Sequence, residues 1–401
     1  MDIGPITIKQ CQDVVVYQVD FDLKQQSHSL WFELNLPGAL WPSESGDAAM
    51  LALLLPAMLA NENIHVRGRV SAQLLFHLNG AYQTLVRQVI PYLHQIYISA
   101  DSCCDRSSQA KGVATGFSAG VDSFCSLRDY YSEQTPDALK ITHLLYNNVG
   151  SHGHGADKEQ LFHARYDRLK KTADELALPF IMINSNLNEF YGKGLNFQLT
   201  HTIRNASVAL LLQEHIGHFL YSSAYVYADL FVGPSYDMAY SDTYSLPLLS
   251  TESLICHSVG SEYTRVEKTK RVAELPASYK VLDVCVVADN AENCSQCEKC
   301  LRTLFTLDML GKLELYQHCF NLERYQQHRA GFIRDMLISD DPLLKEILDW
   351  TKQHHFRIEK THYFAALLLY MRRFPLLFLH RLKILTKRHL VSMGLYQPKS
   401  Y

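Results

Sequence analysis

The sequence predicts an α/β fold, a doubly wound parallel sheet covered by helices on both faces. Three observations lead there. Between Lys111 and Ser222, short apolar runs alternate with helical patterns. One of those runs, residues 112–117, passes straight into a small-residue stretch and then a helix. The chain of 401 residues is 47% hydrophobic and 20% charged, enough to bury the cores of two or three packed units.

Taken in order, residues 14–22 (VVVYQVDFD) and 29–36 (SLWFELNL) are rich in β-branched and aromatic side chains and read as strands, with the polar KQQSHS stretch as their turn. Residues 47–61 and 71–93 carry helical apolar spacing, with Asp47 and Ser71 as N-caps. No chemistry stands out in this region, so residues 1–108 read as a small α+β domain that supports or shapes a site. Residues 109–310 form the second expected domain. Its strands fall at 112–117, 139–146, 180–184 and 218–222, and its helices at 123–133, 157–178 and 203–216. In such sheets ligands collect at the carboxyl ends of the strands, near a reversal in strand order. Residues 311–401 read as a helical extension, with helices at 343–354 and 362–388. Residues 356–401 are strongly basic and Glu359 is their only acid; a partly buried helix with a solvated basic face accounts for this, with RNA or anionic lipid as the alternative contact.

Net charge is −3, so no global basic field draws the chain to nucleic acid. The N-terminal residues lack a secretory pattern, and no uninterrupted apolar stretch is long enough to span a bilayer. A cytoplasmic location is the expectation.

The segment Phe117, Ser118, Ala119, Gly120, Val121, Asp122 and Ser123 carries the first chemical signal. Polyphosphate needs several backbone N–H groups converging without side-chain obstruction, and a strand-to-helix turn of small residues supplies them. The helix N-terminus adds positive partial charge. Ser118 and Ser123 offer hydroxyls. Asp122 suits a Mg²⁺ ligand or a cap that holds the loop. The Gly-Lys-Ser/Thr ending of a Walker loop is absent.

Cys285, Cys294, Cys297 and Cys300 carry the second, in the spacing C-x8-C-x2-C-x2-C. Four thiolates so spaced can close a tetrahedron around Zn²⁺, with every position filled by protein, which is the mark of a structural site. An iron–sulfur cluster is the rival occupant.

Together these motifs resemble the PP-loop (N-type) ATP pyrophosphatase superfamily, and within it 7-cyano-7-deazaguanine synthase and its relatives. The PP-loop pattern is Ser-Gly-Gly-x-Asp-Ser/Thr; here Ala119 replaces the first glycine, and alanine resists positive φ. An Arg-Asn pair that opens a helix in the family is matched by Arg204 and Asn205, and a later basic-x-Glu step by Arg265 and Glu267. Order and spacing agree over about residues 112–302. After the second strand the family carries Tyr-Gly-Gln-Arg-His, whereas Tyr146 is followed here by NNVGSHGHG. A similar long layout occurs in the ATP-dependent glutamyl epimerase of peptidoglycan precursors and in synthase-like proteins of anti-phage operons.

The resemblance implies ATP, Mg²⁺ and Zn²⁺ as cofactors. It implies cleavage of ATP to AMP and pyrophosphate, activating a carboxylate or carbonyl oxygen for attack by a nitrogen nucleophile. Residues 117–123 with Tyr146 and Asn205 then bind nucleotide, and Asp122 and Arg204 are catalytic. An RNA sulfur transferase, an adenylate-forming epimerase and a nucleotide-binding component of a defence complex are the alternatives. The expected substrate is a small-molecule or peptide carboxylate; nucleic acid is not expected, and homodimer assembly stays open. The loop 151–155 (SHGHG) and the hydroxyl- and aromatic-rich segment 235–253 are candidate gate and substrate loops at strand exits.

Overall fold

The computed structural model describes residues 1–37, 40–153, 155–287 and 292–371. The chain groups into two compact units, Met1–Asn293 and Cys294–Tyr401. Among the described residues no helix is long and apolar enough to cross a membrane.

The first unit is built on one mixed sheet. Its strands in chain order are β1 Asp2–Ile3, β2 Thr7–Cys11, β3 Val14–Leu23, β4 Gln26–Asn35, β5 Ile64–Ser71, β6 Ile98–Cys104, β7 Gly112–Gly116, β8 His143–Asn147, β9 Phe180–Ser185, β10 Ile216–Ser222 and β11 Ile255–Val259. The spatial order is β11-β10-β7-β8-β9-β4-β3-β1-β5-β6, with β2 pairing β3. From β11 to β9 every pairing is parallel. The expected N-terminal domain is not a separate sheet: β4 pairs antiparallel with β9, so strands before residue 108 extend the same sheet.

Strand order gives the sheet its chemical geography. The chain runs outward through β7, β8 and β9, then returns to place β10 on the other side of β7. That reversal falls at the carboxyl end of β7, the position at which doubly wound sheets bind ligands. Neighbouring residues of a strand face opposite sides. On β10, the Tyr221 hydroxyl meets His201 of the helix Phe197–Leu210, while Ser222 Oγ lies 2.8 Å from Ser126 Oγ of the helix Val121–Tyr130. These two helices therefore cover opposite faces.

Several local expectations shift. The turn between β3 and β4 is only Lys24 and Gln25, both at positive φ, as a tight hairpin of this twist requires. Asp47 is not a cap but the buried first residue of the helix Asp47–Ala60, and its Oδ1 accepts from Ser71 N. Ser71 does cap the next helix, accepting from Leu74 N. The helix expected at 203–216 runs Phe197–Leu210 because Asn196 caps it through Leu199 N.

The second unit is helical. Its helices Glu298–Met309, Leu322–Met336 and Pro342–Gln353 begin after Cys297, Asn321 and Asp341, and the last two caps accept main-chain amides. Residues 360–371 are helical; the rest of the helix expected at 362–388, with most of the basic segment, lies outside the described residues.

Candidate active site

β7 feeds the loop as expected. Phe117 N still donates to Leu145 O at 2.8 Å, so the sheet holds the loop's first residue. The buried Phe117 ring meets Phe124 edge-on at 5.2 Å, pinning strand exit to helix entrance. Ser118 is exposed, Ala119 is buried, and no side chain caps the helix at Gly120. The first amides of that helix lack a side-chain cap, the arrangement that suits an anion.

Ala119 adopts φ 55°, although alanine was expected to resist it. The left-handed region costs an alanine roughly 1 kcal/mol. Such strain persists only where the surroundings impose it. Here Asp283 N donates to Ala119 O at 2.9 Å. Ser123 Oγ donates to Gly120 O at 3.1 Å and is buried, so this hydroxyl supports the turn, and Ser118 is the one left open to solvent.

Asp122 is the loop's electrostatic centre. Arg265 Nη1 donates to its Oδ2 at 3.0 Å and Lys268 Nζ to its Oδ1 at 3.2 Å. Burial alone would raise its pKa; the two cations outweigh burial and hold it below the usual value. Lys268 is fully buried, and its ammonium also donates to Ser223 O at 2.6 Å. On the far side of the loop Asp283 receives Arg168 Nη2 at 2.6 Å and faces Arg165 Nε at 3.5 Å. Four cations thus surround two carboxylates, leaving positive charge for a polyphosphate to neutralise.

Lys268 is the residue that sequence reasoning missed. A signal existed: Thr264 and Glu267 form a capping box, which fixes the helix start and sets Arg265 and Lys268 three residues apart on one face. Glu267, matched to the family's basic-x-Glu step, does its work in that cap.

The other expected residues divide. Tyr146 is buried at the end of β8, stacked on Phe162 at 5.0 Å, its hydroxyl 3.2 Å from His152 Nε2. Burial, with Arg165 adding to it, lowers the His152 pKa to about 4, so this imidazole is neutral at pH 7. His154, in the same loop, lies outside the described residues. Asn205 Oδ1 accepts from Asn147 Nδ2 at 3.0 Å at the β8 exit. Asn147 Oδ1 is buried without a hydrogen-bond partner among the described residues, an acceptor suited to a ligand N–H.

Arg204 is a correction. Its guanidinium is 1% exposed and donates to Thr200 Oγ1, Val149 O, Asn188 Oδ1 and Leu195 O, with Tyr191 beneath it at 3.8 Å. A cation so enclosed cannot also meet the α-phosphate; it holds the β8 exit loop in place. Gly150 marks the tightness of that packing. At φ +115° a Cβ would overlap Arg204 Nη1 and sit 2.6 Å from Asn188 Oδ1. Gly150→Ala should therefore cost about 2–3 kcal/mol, read as a lower denaturant midpoint at unchanged slope.

The four cysteines come together. The sulfurs of Cys285, Cys294, Cys297 and Cys300 all lie within 4.8 Å of one another, and those of Cys294 and Cys300 are 3.9 Å apart. Tetrahedral zinc with Zn–S bonds of about 2.3 Å places sulfurs roughly 3.8 Å apart, far beyond a disulfide's ~2.05 Å. Cys297 N points at Cys294 Sγ at 3.3 Å, and Cys300 sits in the first turn of the helix that Cys297 caps. Both features favour thiolates. The group can hold a metal such as zinc.

The cysteine-bearing strap also reaches the loop. Cys285 N donates to Asp283 Oδ1 at 3.3 Å, and Asn293 braces residues 282–284 through Leu282 O and Val284 N. Asp283 is the residue that clamps Ala119 O.

Neither protein-family models, nor curated proteins, nor solved structures yielded a match to this chain. Its function has to be read from the site itself.

Proposed function

We propose that this chain is an ATP-using enzyme of the PP-loop kind, forming AMP and pyrophosphate as the 7-cyano-7-deazaguanine synthase-like proteins it resembles do. The observation that carries the reading is the left-handed Ala119 in an uncapped loop at the strand-order reversal, flanked by Asp122 with Lys268 and Arg265. Amides of Ser118 to Ser123 take the β- and γ-phosphates. A substrate carboxylate or carbonyl oxygen attacks the α-phosphorus, and pyrophosphate leaves against the loop amides, which Lys268 and Arg265 support from behind by fixing Asp122. A nitrogen nucleophile then displaces AMP. Mg²⁺ would supply further charge neutralisation when bound with the nucleotide; both Asp122 oxygens are engaged by Arg265 and Lys268, so the carboxylate does not fit the role of its ligand that the sequence suggested. The alternative of sulfur transfer needs a reactive thiol beside the loop. Cys125, two residues beyond it, is buried with its thiol pushed up to about 12, which disfavours that chemistry.

Mass spectrometry of the purified chain incubated with ATP, Mg²⁺ and a metabolite extract tests the reading. AMP and pyrophosphate should appear in equal amounts. ADP with inorganic phosphate, or unchanged ATP across all extracts, would sink it.

A further inference from the structure

A second group of polar side chains lies one strand from the loop, and no step above uses it. Tyr221 follows Leu220, which pairs with Thr115, so it stands level with Gly116 where β7 ends. Its hydroxyl is 2.6 Å from His201 Nδ1, and His201 Nε2 is 3.1 Å from Asp237 Oδ1. Asp237 comes from the 235–253 segment, the expected substrate loop. Ala239 N donates to the same Asp237 oxygen at 2.9 Å and fixes it. Asp242, from that segment too, is buried; its Oδ1 receives Thr202 Oγ1 at 2.5 Å, and its Oδ2 has no hydrogen-bond partner among the described residues. Asn205 Nδ2 donates to His201 O, which ties the group to Asn147 and the β8 exit.

The order of these groups is chemical. Asp237 Oδ1 accepts a hydrogen bond from Nε2–H of a neutral imidazole, which leaves Nδ1 as an acceptor for the tyrosine hydroxyl. A hydroxyl, a base that can take its proton and a carboxylate that orients the base form a chain along which a proton can pass. Burial, with Asp242 and Asp237, holds the Tyr221 pKa well above its usual value, so the hydroxyl gives up its proton only in concert with receiving another. The next residues meet the supports of the loop: Ser222, the last residue of β10, contacts Ser126 of the loop's helix, and Ser223 O, just beyond the strand, accepts from Lys268.

We propose that Tyr221, His201 and Asp237 form the proton relay of the second half-reaction, an inference that rests on the adenylating reading above. As an amine or ammonia attacks the adenylate carbon, one N–H proton passes to the Tyr221 oxygen while the Tyr221 proton passes to His201 Nδ1. The C–N bond forms, the bond to the AMP oxygen breaks, and AMP leaves with that electron pair. The imidazolium faces Asp237 and Asp242, with Arg204 the opposing cation nearby. Tyr221 is the catalytic group, and His201 and Asp237 position and charge it. Burial lowers the His201 pKa, and the two aspartates outweigh burial to raise it. The relay works with His201 neutral, so AMP turnover falls as pH drops through that raised pKa.

The test follows the two half-reactions separately in the full chain, with ATP, Mg²⁺, the carboxylic-acid fraction of a metabolite extract, and ammonium or hydroxylamine as added nucleophile. Tyr221→Phe and His201→Gln should give the wild-type burst of pyrophosphate. Their AMP turnover with ammonium should fall about 10²-fold or more. Hydroxylamine, unprotonated near neutral pH, should restore most of it. Asp237→Asn should move the acid limb of the pH–rate profile to lower pH. Wild-type turnover with ammonium in Tyr221→Phe, a variant phenylalanine that removes a single oxygen and so preserves folding, would overturn the relay. So would loss of burst and turnover together in a variant that binds ATP normally, or an unmoved acid limb. A wild-type chain giving no pyrophosphate burst would overturn the phosphate-loop reading and the relay with it, whereas an intact burst with unaffected variants overturns the relay alone.

Discussion

Asp122→Ala should abolish AMP and pyrophosphate formation, a loss of roughly 10³-fold or more, and should also destabilise the fold. The carboxylate sits between Arg265 and the buried Lys268 and ties the start of the loop's helix to both. Removing a preorganised charge from such a site costs about 10²–10³ in rate, and the misplaced cations add to that. Breaking a buried pair by deleting one partner costs about 3–5 kcal/mol. Asp122 is partly open to solvent, so the lower end of that range applies. Its depressed pKa gives the pH dependence. The stabilisation is present above the unfolded value of 3.8 and disappears as pH falls through the lower folded value. The mutant's stability deficit should therefore shrink below pH 3.8. Lys268→Met deletes the other partner of the same pair and leaves Asp122 Oδ1 and Ser223 O without that donor, so it should also destabilise the fold and lose most AMP formation. An Asp122→Ala chain producing AMP at the wild-type rate would refute the site.

The parallel half of the sheet was legible because its strands are short apolar runs separated by helical spacing, and residues 112–117, 180–184 and 218–222 stand within two residues of β7, β9 and β10. The N-terminal strands were harder. β5 is interrupted at Gly68, where the φ of +147° and a register shift break the alternation. β2 is largely exposed and carries no buried face to recognise. The merging of β4 with β9 depends on backbone pairing between distant segments, which leaves no local pattern. The same reason hid the site's second half. Ala119 and Asp122 sit in one contiguous motif, whereas Lys268, Tyr221, His201 and Asp237 come from separate elements and meet only in the folded chain. Arg204 was misread in the opposite direction. Its place in a family-like pair suggested a ligand contact, but three of the four acceptors that enclose it lie in other segments.

Cys297→Ser should release the metal and lower both stability and nucleotide affinity. Thiolate coordination of zinc is worth about 10–16 kcal/mol in small peptides at pH 7, and where folding and metal binding are linked that energy appears as stability. Three sulfurs and a hydroxyl hold a soft metal far more weakly than four sulfurs. Metal analysis of the wild-type chain should find about one zinc per chain, and the variant much less, with a melting temperature lower by roughly 10 °C. Iron with visible absorbance would replace zinc by a cluster in the same four positions. The effect on nucleotide follows from the strap through residues 282–285: Cys285 is two residues from Asp283, whose amide holds Ala119 in its left-handed conformation. Loosening that clamp removes the support for a strained alanine, so the loop should relax and ATP affinity should fall about tenfold. Chelation of the wild-type chain should reproduce the loss, and zinc should restore it. Asp283→Ala keeps the main-chain amide but removes the carboxylate that Arg168 and Cys285 N hold in place, so the amide loses its anchor and ATP binding should weaken without a change in zinc content. A Cys297→Ser chain that stays metal-replete and stable would refute the structural role of the tetra-cysteine group, and an Asp283→Ala chain with unchanged ATP affinity would show that the strap does not shape the loop.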